Sequence, residues 1–367
     1  MSKMTYRYEP DYVISPGEIL EETLMSRGLQ KVEVAERCGL SAKQVSLILS
    51  GKAPVTPETA INLERILGVS ANVWNNLEAK FRLSKARERD SSELSKHGEW
   101  LRSFPVKELI RKGIIEKSED VATGVSHLLD FFGVGSVDAW SDHCKRLQVS
   151  FRRSPTFRSS FESLVTWLRL GELEAAEVDC ATYDKSAFET ALKKIRKLSC
   201  EVPAVFEPKM RELCASAGVA VVFVGELPGT HLSGATCWLS PNKAMMVLSL
   251  RYKTDDHLWF TLFHEAGHIK LHGKKGFFID EDKQESFSEE ELAADLFATN
   301  QLIPRKAYRK LVRMGKYDEE NIIGFAKSIN IAPGIVVGRL QHEEILSWRT
   351  PLNSLKRRFR LVETRSA

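Results

Sequence analysis

Apolar positions recur along this 367-residue chain at two spacings, and the spacing changes with position. In the first eighty residues it is helical. Ile19, Leu20 and Leu24 share the inner face of a segment opened by Pro16-Gly17-Glu18 and closed at Gly28. A short second helix follows from Lys31 to Cys38. After the turn Gly39-Leu40, Ser41 is a good N-cap for a third helix that ends near Gly51, with Val45 and Ile48 pointing inward. Thr56-Pro57-Glu58 starts a fourth, stopped by Gly68, and Ser70 starts a fifth that carries Trp74 and Leu77 inward. Residues 100–200 keep the helical rhythm, with Leu109 and Ile110, Val125, Leu128 and Leu129, Phe161, Leu164, Trp167 and Leu168, then Leu192, Ile195 and Leu198. A helix from Lys209 to Ala217 ends at Gly218. Beyond it the apolar runs shorten into three strands, Val219–Val224, Gly234–Leu239 and Ala244–Leu250, the last two separated by the turn signal Ser240-Pro241-Asn242-Lys243.

The stretch between Thr254 and Gly273 differs from both patterns. Leu258, Trp259, Phe260, Leu262, Phe263, Ala266, Ile269 and Leu271 cover nearly the whole circumference of a helix, so it is expected to be buried. Thr254 or Asp255 can cap it, Asp255 and Asp256 suit the positive end of its dipole, and Gly273 offers a stop. Inside this apolar stretch lies His264-Glu265-Ala266-Gly267-His268. At about 100° per residue the two histidines fall about 40° apart on one face, so both imidazoles can reach one Zn²⁺, with Glu265 beside them as a general base toward water. Burying all three without partners would cost several kcal/mol, which metal binding would offset.

A third ligand is needed. The metzincin continuation is excluded, because Leu271 and Lys274 stand where it requires Gly and His. Downstream, Ser288–Ala298 reads as a second helix with acids in its first turn, and Glu291 and Asp295 are i and i+4 on it. In the gluzincin arrangement a glutamate from a second helix completes the triad, and an acid one turn later holds a ligating histidine; Glu291 and Asp295 fit these roles. Glu289 and Glu290 read as a solvated helix start. His272, i+4 from His268, is the competing third ligand, although three histidines along one helix would splay off a tetrahedral centre. Together His264-Glu265-x-x-His268, Glu291-x-x-Ala294-Asp295-x-Phe297-Ala298 and Leu302-Ile303-Pro304 resemble the ImmA/IrrE metallopeptidases. That family typically has Asn at the place of Asp295 and often a second acid at the place of Ala293; neither departure removes a ligand. The resemblance implies a zincin-like, gluzincin-type peptidase domain. In such a domain an edge strand borders the cleft and can pair with an extended substrate; His231, Ser233 and Thr236 lie near that edge, either as cleft residues or as ordinary surface polar residues. His231 and Tyr252 are the candidates for donors to the scissile carbonyl.

The first segment has the layout of a helix-turn-helix: Ala35 is small where the helices cross, Gly39 permits the turn, and Val45 and Ile48 fill the core. Its five helices make a λ-repressor-like domain. Tyr8-Glu9-Pro10-Asp11-Tyr12, Pro16-Gly17-Glu18, Gly51-Lys52-Ala53-Pro54, Thr56-Pro57-Glu58-Thr59-Ala60 and Trp74-Asn75-Asn76-Leu77-Glu78-Ala79 resemble the HigA-type antitoxins of the Xre repressor group over most of residues 1–83. On that reading the third helix enters the major groove of double-stranded operator DNA. Ser41, Lys43, Gln44 and Ser46 then lie near bases and Lys52 meets a phosphate. A homodimer on a two-fold site is expected.

Composition adds bounds. With 43% hydrophobic residues and no apolar run able to span a bilayer, the chain is expected to be soluble and, lacking a signal-peptide pattern, cytoplasmic. A net charge of +4 does not by itself argue for nucleic acid. Six cysteines without paired spacing indicate neither zinc ribbon nor disulfide framework; Cys237, near the suspected cleft, reads as an apolar filler. Residues 82–100 are charged and serve either as linker or as a helix extension. The pair around Ile322 and Ile335 reads as a structural cap despite its helix-turn-helix-like spacing, and the basic run Lys356–Arg360 reads as a solvated end or a phosphate contact. The expected architecture is mainly α with a small sheet (α+β): a λ-repressor-like domain over 1–83, a helical connector over 84–200, packed on the peptidase or acting as a sensor surface, the peptidase over 201–348 and a basic tail over 349–367. The expected function is that of a DNA-binding regulator whose zinc endopeptidase cuts itself or a protein partner such as a toxin when signalled. The alternative is a HigA-like repressor in which the metal domain only senses or scaffolds.

Overall fold

The computed structural model describes residues 13–153, 160–273, 278–281 and 289–362. The Tyr8–Tyr12 stretch of the HigA-like pattern and the helix-start residue Ser288 lie outside them. Contacts divide the chain into two compact units: residues up to Gly98 together with Ser118–Ser126, and Glu99–Lys117 together with His127 onward.

The first unit is built from α1 (Pro16–Ser26), α2 (Lys31–Cys38), α3 (Ala42–Leu49), α4 (Pro57–Leu67) and α5 (Ala71–Leu94). Side chains close the helix starts as the sequence predicts. Ser15 and Glu18 form a reciprocal capping box on α1, and the Ser41 and Thr56 hydroxyls accept backbone N–H groups of α3 and α4. Gly39 and Gly68 end α2 and α4 in the left-handed conformation that glycine adopts without a steric penalty. Leu20, Val34, Ile48, Leu63 and Trp74 form the core, and the Trp74 indole donates to the Val69 carbonyl at 3.1 Å. Of the two readings of residues 82–100, the structure selects the helix: α5 continues unbroken to Leu94, its second half largely exposed.

Among the described residues, eight more α-helices and a sheet precede the acidic helix: α6 (Gly98–Ser103), α7 (Val106–Arg111), α8 (Val121–Phe132), α9 (Val137–Arg153), α10 (Phe161–Ala176), α11 (Lys185–Lys197), α12 (Pro203–Ala215) and α13 (Asp255–Leu271). Strands β1 (Val219–Phe223), β2 (Leu232–Ser240), β3 (Lys243–Leu248) and β4 (Phe278–Glu281) lie in the order β1-β3-β2-β4, with β1 and β3 parallel and the other pairs antiparallel. After them come α14 (Glu289–Leu302), α15 (Arg305–Met314), α16 (Glu319–Ile329) and α17 (Pro333–His342).

Side chains of a strand alternate between faces, and here both faces are covered. Val219, Val221, Ala244, Met246 and Leu248 join a core with Phe188, Phe206, Trp259 and Phe263. Ala220, Val222, Ala235, Cys237, Met245 and Val247 join a second core with Leu109, Trp140, Leu164 and Trp167. This explains why the strands read as nearly continuous apolar runs. It also places α7, α9 and α10, read from the sequence as a connector, against one face of the sheet. Gly171 lets α10 lie close there: a β-carbon at that position would stand 2.6 Å from a Val247 methyl. Ile322, Phe325, Ile335, Val336 and Leu340 of α16 and α17 fill the first core, in keeping with a structural cap.

Two expectations are corrected. The first concerns β2, which is not an edge: β3 pairs along one side and β4 along the other, so among the described residues the free edges belong to β1 and β4. The four-residue β4 was missed because it is too short to show alternation. The second concerns the basic run. Lys356 pairs with Asp256 at 2.6 Å and the Arg357 guanidinium with Asp255 at 3.0 Å, while Arg357 also donates to the Glu201 and Ser199 carbonyls. Asp255 and Asp256 are buried, so these charges are held by partners and not by solvent, and the chain at 356–357 is bound to the start of α13.

Candidate metal centre and nucleic-acid interface

Burial decides the character of α13. His264, Glu265 and His268 are all within 1% of full burial, inside a helix whose remaining faces are apolar. Thr254 occupies the N-cap position without a side-chain cap bond; the first-turn aspartates are engaged by Lys356 and Arg357 instead. At the other end His272 is the C-cap, and Gly273 follows with φ +74°.

The acidic helix α14 packs along α13, and Gly267 sets how close it comes. A β-carbon there would stand 3.1 Å from Ala294 Cα and 3.2 Å from the Phe297 ring. Because the helices meet closely, Glu291 reaches both histidines, 3.1 Å from His264 Nε2 and 3.4 Å from His268 Nε2, while the two Nε2 atoms are 3.0 Å apart. Three donors about 2 Å from a tetrahedral ion stand about 3.3 Å from one another, so the spacing matches a single coordinated cation. Among the described residues these three form the group able to hold a metal; His272 is outside it, its ring centroid 5.3 Å from that of His268.

Electrostatics favour the ligand forms. Burial works to raise the Glu291 carboxyl, but hydrogen bonds and charge from His264 and His268 outweigh it and hold the group well below the usual carboxylate range. Burial pushes the His268 imidazole below its usual value, against the pull of Glu291, and so favours the neutral ring that ligates. His264 Nδ1 lies 2.9 Å from Asp295 Oδ1; with the proton on Nδ1 donated to that carboxylate, Nε2 faces Glu291 with its lone pair. Asp295→Ala is therefore expected to weaken metal binding by about 10- to 100-fold, read by competition with a chromophoric chelator.

Glu265 points to the sheet. The hydroxyl of Thr236, buried on β2, donates to its carboxylate, and Gly234 makes room for it, since a β-carbon at that position would stand 2.6 Å from Glu265 Oε1. The sequence placed Thr236 at a strand edge with Ser233 and His231, whereas the structure makes it an internal partner of Glu265. Glycine inside a strand signals close backbone approach, and that cue could have marked Gly234. Ser233 accepts the Ser249 N–H through its backbone carbonyl at 3.0 Å, His231 precedes β2, and Tyr252 stacks on His257 with centroids 4.1 Å apart; none of these contacts reaches the three donors. Cys237 is in the core on the sheet's other face, where burial pushes its thiol up to about 12.

In the first unit, Ser41, Lys43, Gln44 and Ser46 are exposed along α3 and Lys52 is exposed just beyond it, while Val45 and Ile48 are buried. Ser41 Oγ accepts the Gln44 N–H at 3.1 Å, so this serine both caps the helix and stands at the exposed end.

Comparison with known proteins agrees with both halves. Residues 221–341 match the Peptidase M78 family, described as the IrrE N-terminal-like domain, and residues 20–74 match a helix-turn-helix family. The Escherichia coli HTH-type transcriptional regulator YddM is 35% identical over 71 residues, 19% of this chain and 76% of that protein. The chain belongs to the HTH-type transcriptional regulators and carries an IrrE-like domain. The virulence-associated protein I of Dichelobacter nodosus is 32% identical over 80 residues, covering 22% of this chain and 74% of its own. Among solved structures, the Pseudomonas aeruginosa antitoxin HigA with the higBA promoter is 29% identical over 23% of this chain and 94% of its own, with a TM-score of 0.22. A HigA-family antidote protein from Coxiella burnetii is 27% identical over 23% and 91%, with a TM-score of 0.21. All the donors of the metal group, with Glu265 and Asp295, fall inside the IrrE-like match, and the exposed face of α3 falls inside the helix-turn-helix match. The IrrE-like domain is of metallopeptidase type, consistent with a metal cofactor. No single helix among the described residues is long and apolar enough to cross a membrane.

Proposed function

We propose that the chain is a cytoplasmic regulator that binds double-stranded operator DNA through residues 1–83 and cleaves a protein through a zinc-dependent endopeptidase centre within residues 201–348. Residues 84–200 connect the two, and 349–367 form the basic C-terminal segment. The observations that carry this reading are the convergence of His264, His268 and Glu291 and the hydrogen bond from Thr236 that orients the carboxylate of Glu265, the residue after His264 on the same helix. A sensor or scaffold has use for the three donors but none for an oriented carboxylate next to them.

The residues divide the work. His264, His268 and Glu291 would hold Zn²⁺, with Asp295 fixing the His264 ring. Bound there, the ion supplies Lewis acidity that polarises a scissile carbonyl and eases the deprotonation of water. Glu265 takes the proton of the attacking water and passes it to the leaving amine. Its hydrogen bond from Thr236 and its contact with Gly234 fix the direction from which it acts. On the other unit, Ser41, Lys43, Gln44 and Ser46 are directed to base edges and Lys52 to a phosphate, with a homodimer on a two-fold site. The protein cleaved is the chain itself or a partner such as a toxin.

Wild type and Glu265→Gln, both zinc-loaded, are to be incubated with operator DNA and with the products of neighbouring genes, and the mixtures read by intact mass. Fragments are expected from wild type, about 10²- to 10⁴-fold more slowly from the variant, with operator binding equal in the two. A zinc-loaded wild type that leaves itself and its genetic neighbours uncut under every tested signal would leave the second reading, a HigA-like repressor whose metal domain senses or scaffolds.

A further inference from the structure

Helix α15, ten residues long, holds five bases and no acid. At about 100° per residue Arg305, Lys306, Arg309, Lys310 and Arg313 fall within about 140° of one another, in two rows that run about 12 Å along the helix. All five are exposed, and none of them bonds an acid among the described residues. The opposite side is spent on the fold: Leu311 is fully buried, and Ala307 and Tyr308 pack against the first core. Glu343, the acid that the Tyr308 hydroxyl reaches, is already paired with Arg339. The net charge of the whole chain is +4, so outside this one helix acids slightly outnumber bases.

Left alone, the arrangement works against the helix. Arg305 and Arg309, Lys306 and Lys310, and Arg309 and Arg313 are like charges four residues apart. Arg305 and Lys306 also stand at the positive end of the helix dipole, where Pro304 provides no side-chain cap. A row of anions along the exposed face would offset each of these repulsions. The apolar side chains decide which polyanion fits. A helix that lies on a membrane needs an apolar face to insert. Here that face is buried in the core, and the exposed Val312 and Met314 stand about 160° apart on its flanks. Duplex DNA asks only for charge, since it presents one phosphate for about every 1.7 Å of its axis. The chain is also an HTH-type regulator, so a duplex held by its first unit is at raised effective concentration for the second.

We propose that the exposed face of α15 is a second DNA-binding surface, which holds the phosphates of a duplex without reading its sequence through Arg309, Lys310 and Arg313, with Arg305 and Lys306 alongside. It rests on the reading of the chain as a DNA-binding regulator and adds contacts that the first unit does not supply. None of these residues belongs to the metal group.

The test titrates the full chain against a short fluorescein-labelled duplex of arbitrary sequence, by anisotropy at several salt concentrations. Each phosphate contact contributes about 0.9 to the slope of log K against log salt. Arg309→Gln/Lys310→Gln/Arg313→Gln is therefore expected to lower that slope by about 2–3 and to weaken binding at least about tenfold at low salt, with metal content and the thermal unfolding curve as in wild type. Arg309→Lys/Lys310→Arg/Arg313→Lys, which keeps the charge, should match wild type. Lys43→Glu/Lys52→Glu, on the first unit, should weaken binding by itself and leave a residual that the glutamine substitutions remove. A wild-type slope in the folded glutamine variant would overturn the proposal, as would an equal loss in the charge-keeping one. Undiminished binding by Lys43→Glu/Lys52→Glu, with the slope still lost in the glutamine variant, would count against the first-unit contacts and support this surface; the reverse pattern would keep the first-unit contacts and remove this surface. Phosphatidylserine vesicles sedimented with the same proteins check the choice of polyanion. Capture of wild type but not of the glutamine variant, with duplex binding equal in the two, would overturn DNA in favour of a membrane surface.

Discussion

Glu291→Ala, purified beside wild type, is expected to lose its zinc. Wild type should carry about one ion per chain, and the variant should bind it at least about 100-fold more weakly, since removal of an outer partner alone costs about 10- to 100-fold and Glu291 faces both histidines directly. His272→Ala in the same experiment should keep wild-type content, because His272 caps the end of α13 outside the donor group. The two outcomes separate the ligand sets that the sequence left open. Zinc retained in Glu291→Ala and lost in His272→Ala would reverse the assignment. Zinc absent from wild type even after addition would remove the metal reading altogether.

Gly267→Leu should also lose zinc, although residue 267 ligates nothing. Its side chain would have to occupy the space now taken by the backbone of Ala294 and the ring of Phe297, so α14 must move away from α13 and carry Glu291 with it. Overpacking of this kind costs about 1–3 kcal/mol in stability, and the loss of zinc affinity should exceed tenfold because coordination distances tolerate only a few tenths of an ångström. Gly324→Ala is the control: it lies on an exposed stretch of α16 with nothing near its missing side chain and should stabilise the fold by about 0.5–1 kcal/mol with zinc unchanged. Chelator competition and chemical denaturation on the same preparations give both numbers. If Gly267→Leu binds zinc as wild type does, the approach of the two helices is not what delivers Glu291.

Much of this was legible in the residues because it depends on neighbours in sequence. Ser15, Ser41 and Thr56 cap their helices through backbone groups three residues away, and Gly39 and Gly68 stop them by their own backbone conformation, so the first unit could be laid out from local chemistry alone. The i and i+4 spacing of His264 and His268 is likewise a property of one helix, as is that of Glu291 and Asp295. Whether those two helices meet is not local: it rests on Gly267 and on the hydrophobic burial of Trp259 and Phe263, which fix the pose of α13 among elements far away in the chain. The same holds for Thr236, which reads as an ordinary strand-edge threonine until β4 pairs beside it and Glu265 arrives above it. It holds again for Lys356 and Arg357, basic residues near the end of the chain that carry no sign of the buried aspartates about a hundred positions earlier. Sequence determined which helices form and which side chains share a face of each, because backbone hydrogen bonding and side-chain periodicity act within a few residues. Tertiary structure alone decided which faces meet, because that choice is made by burial and close packing between segments distant in the chain.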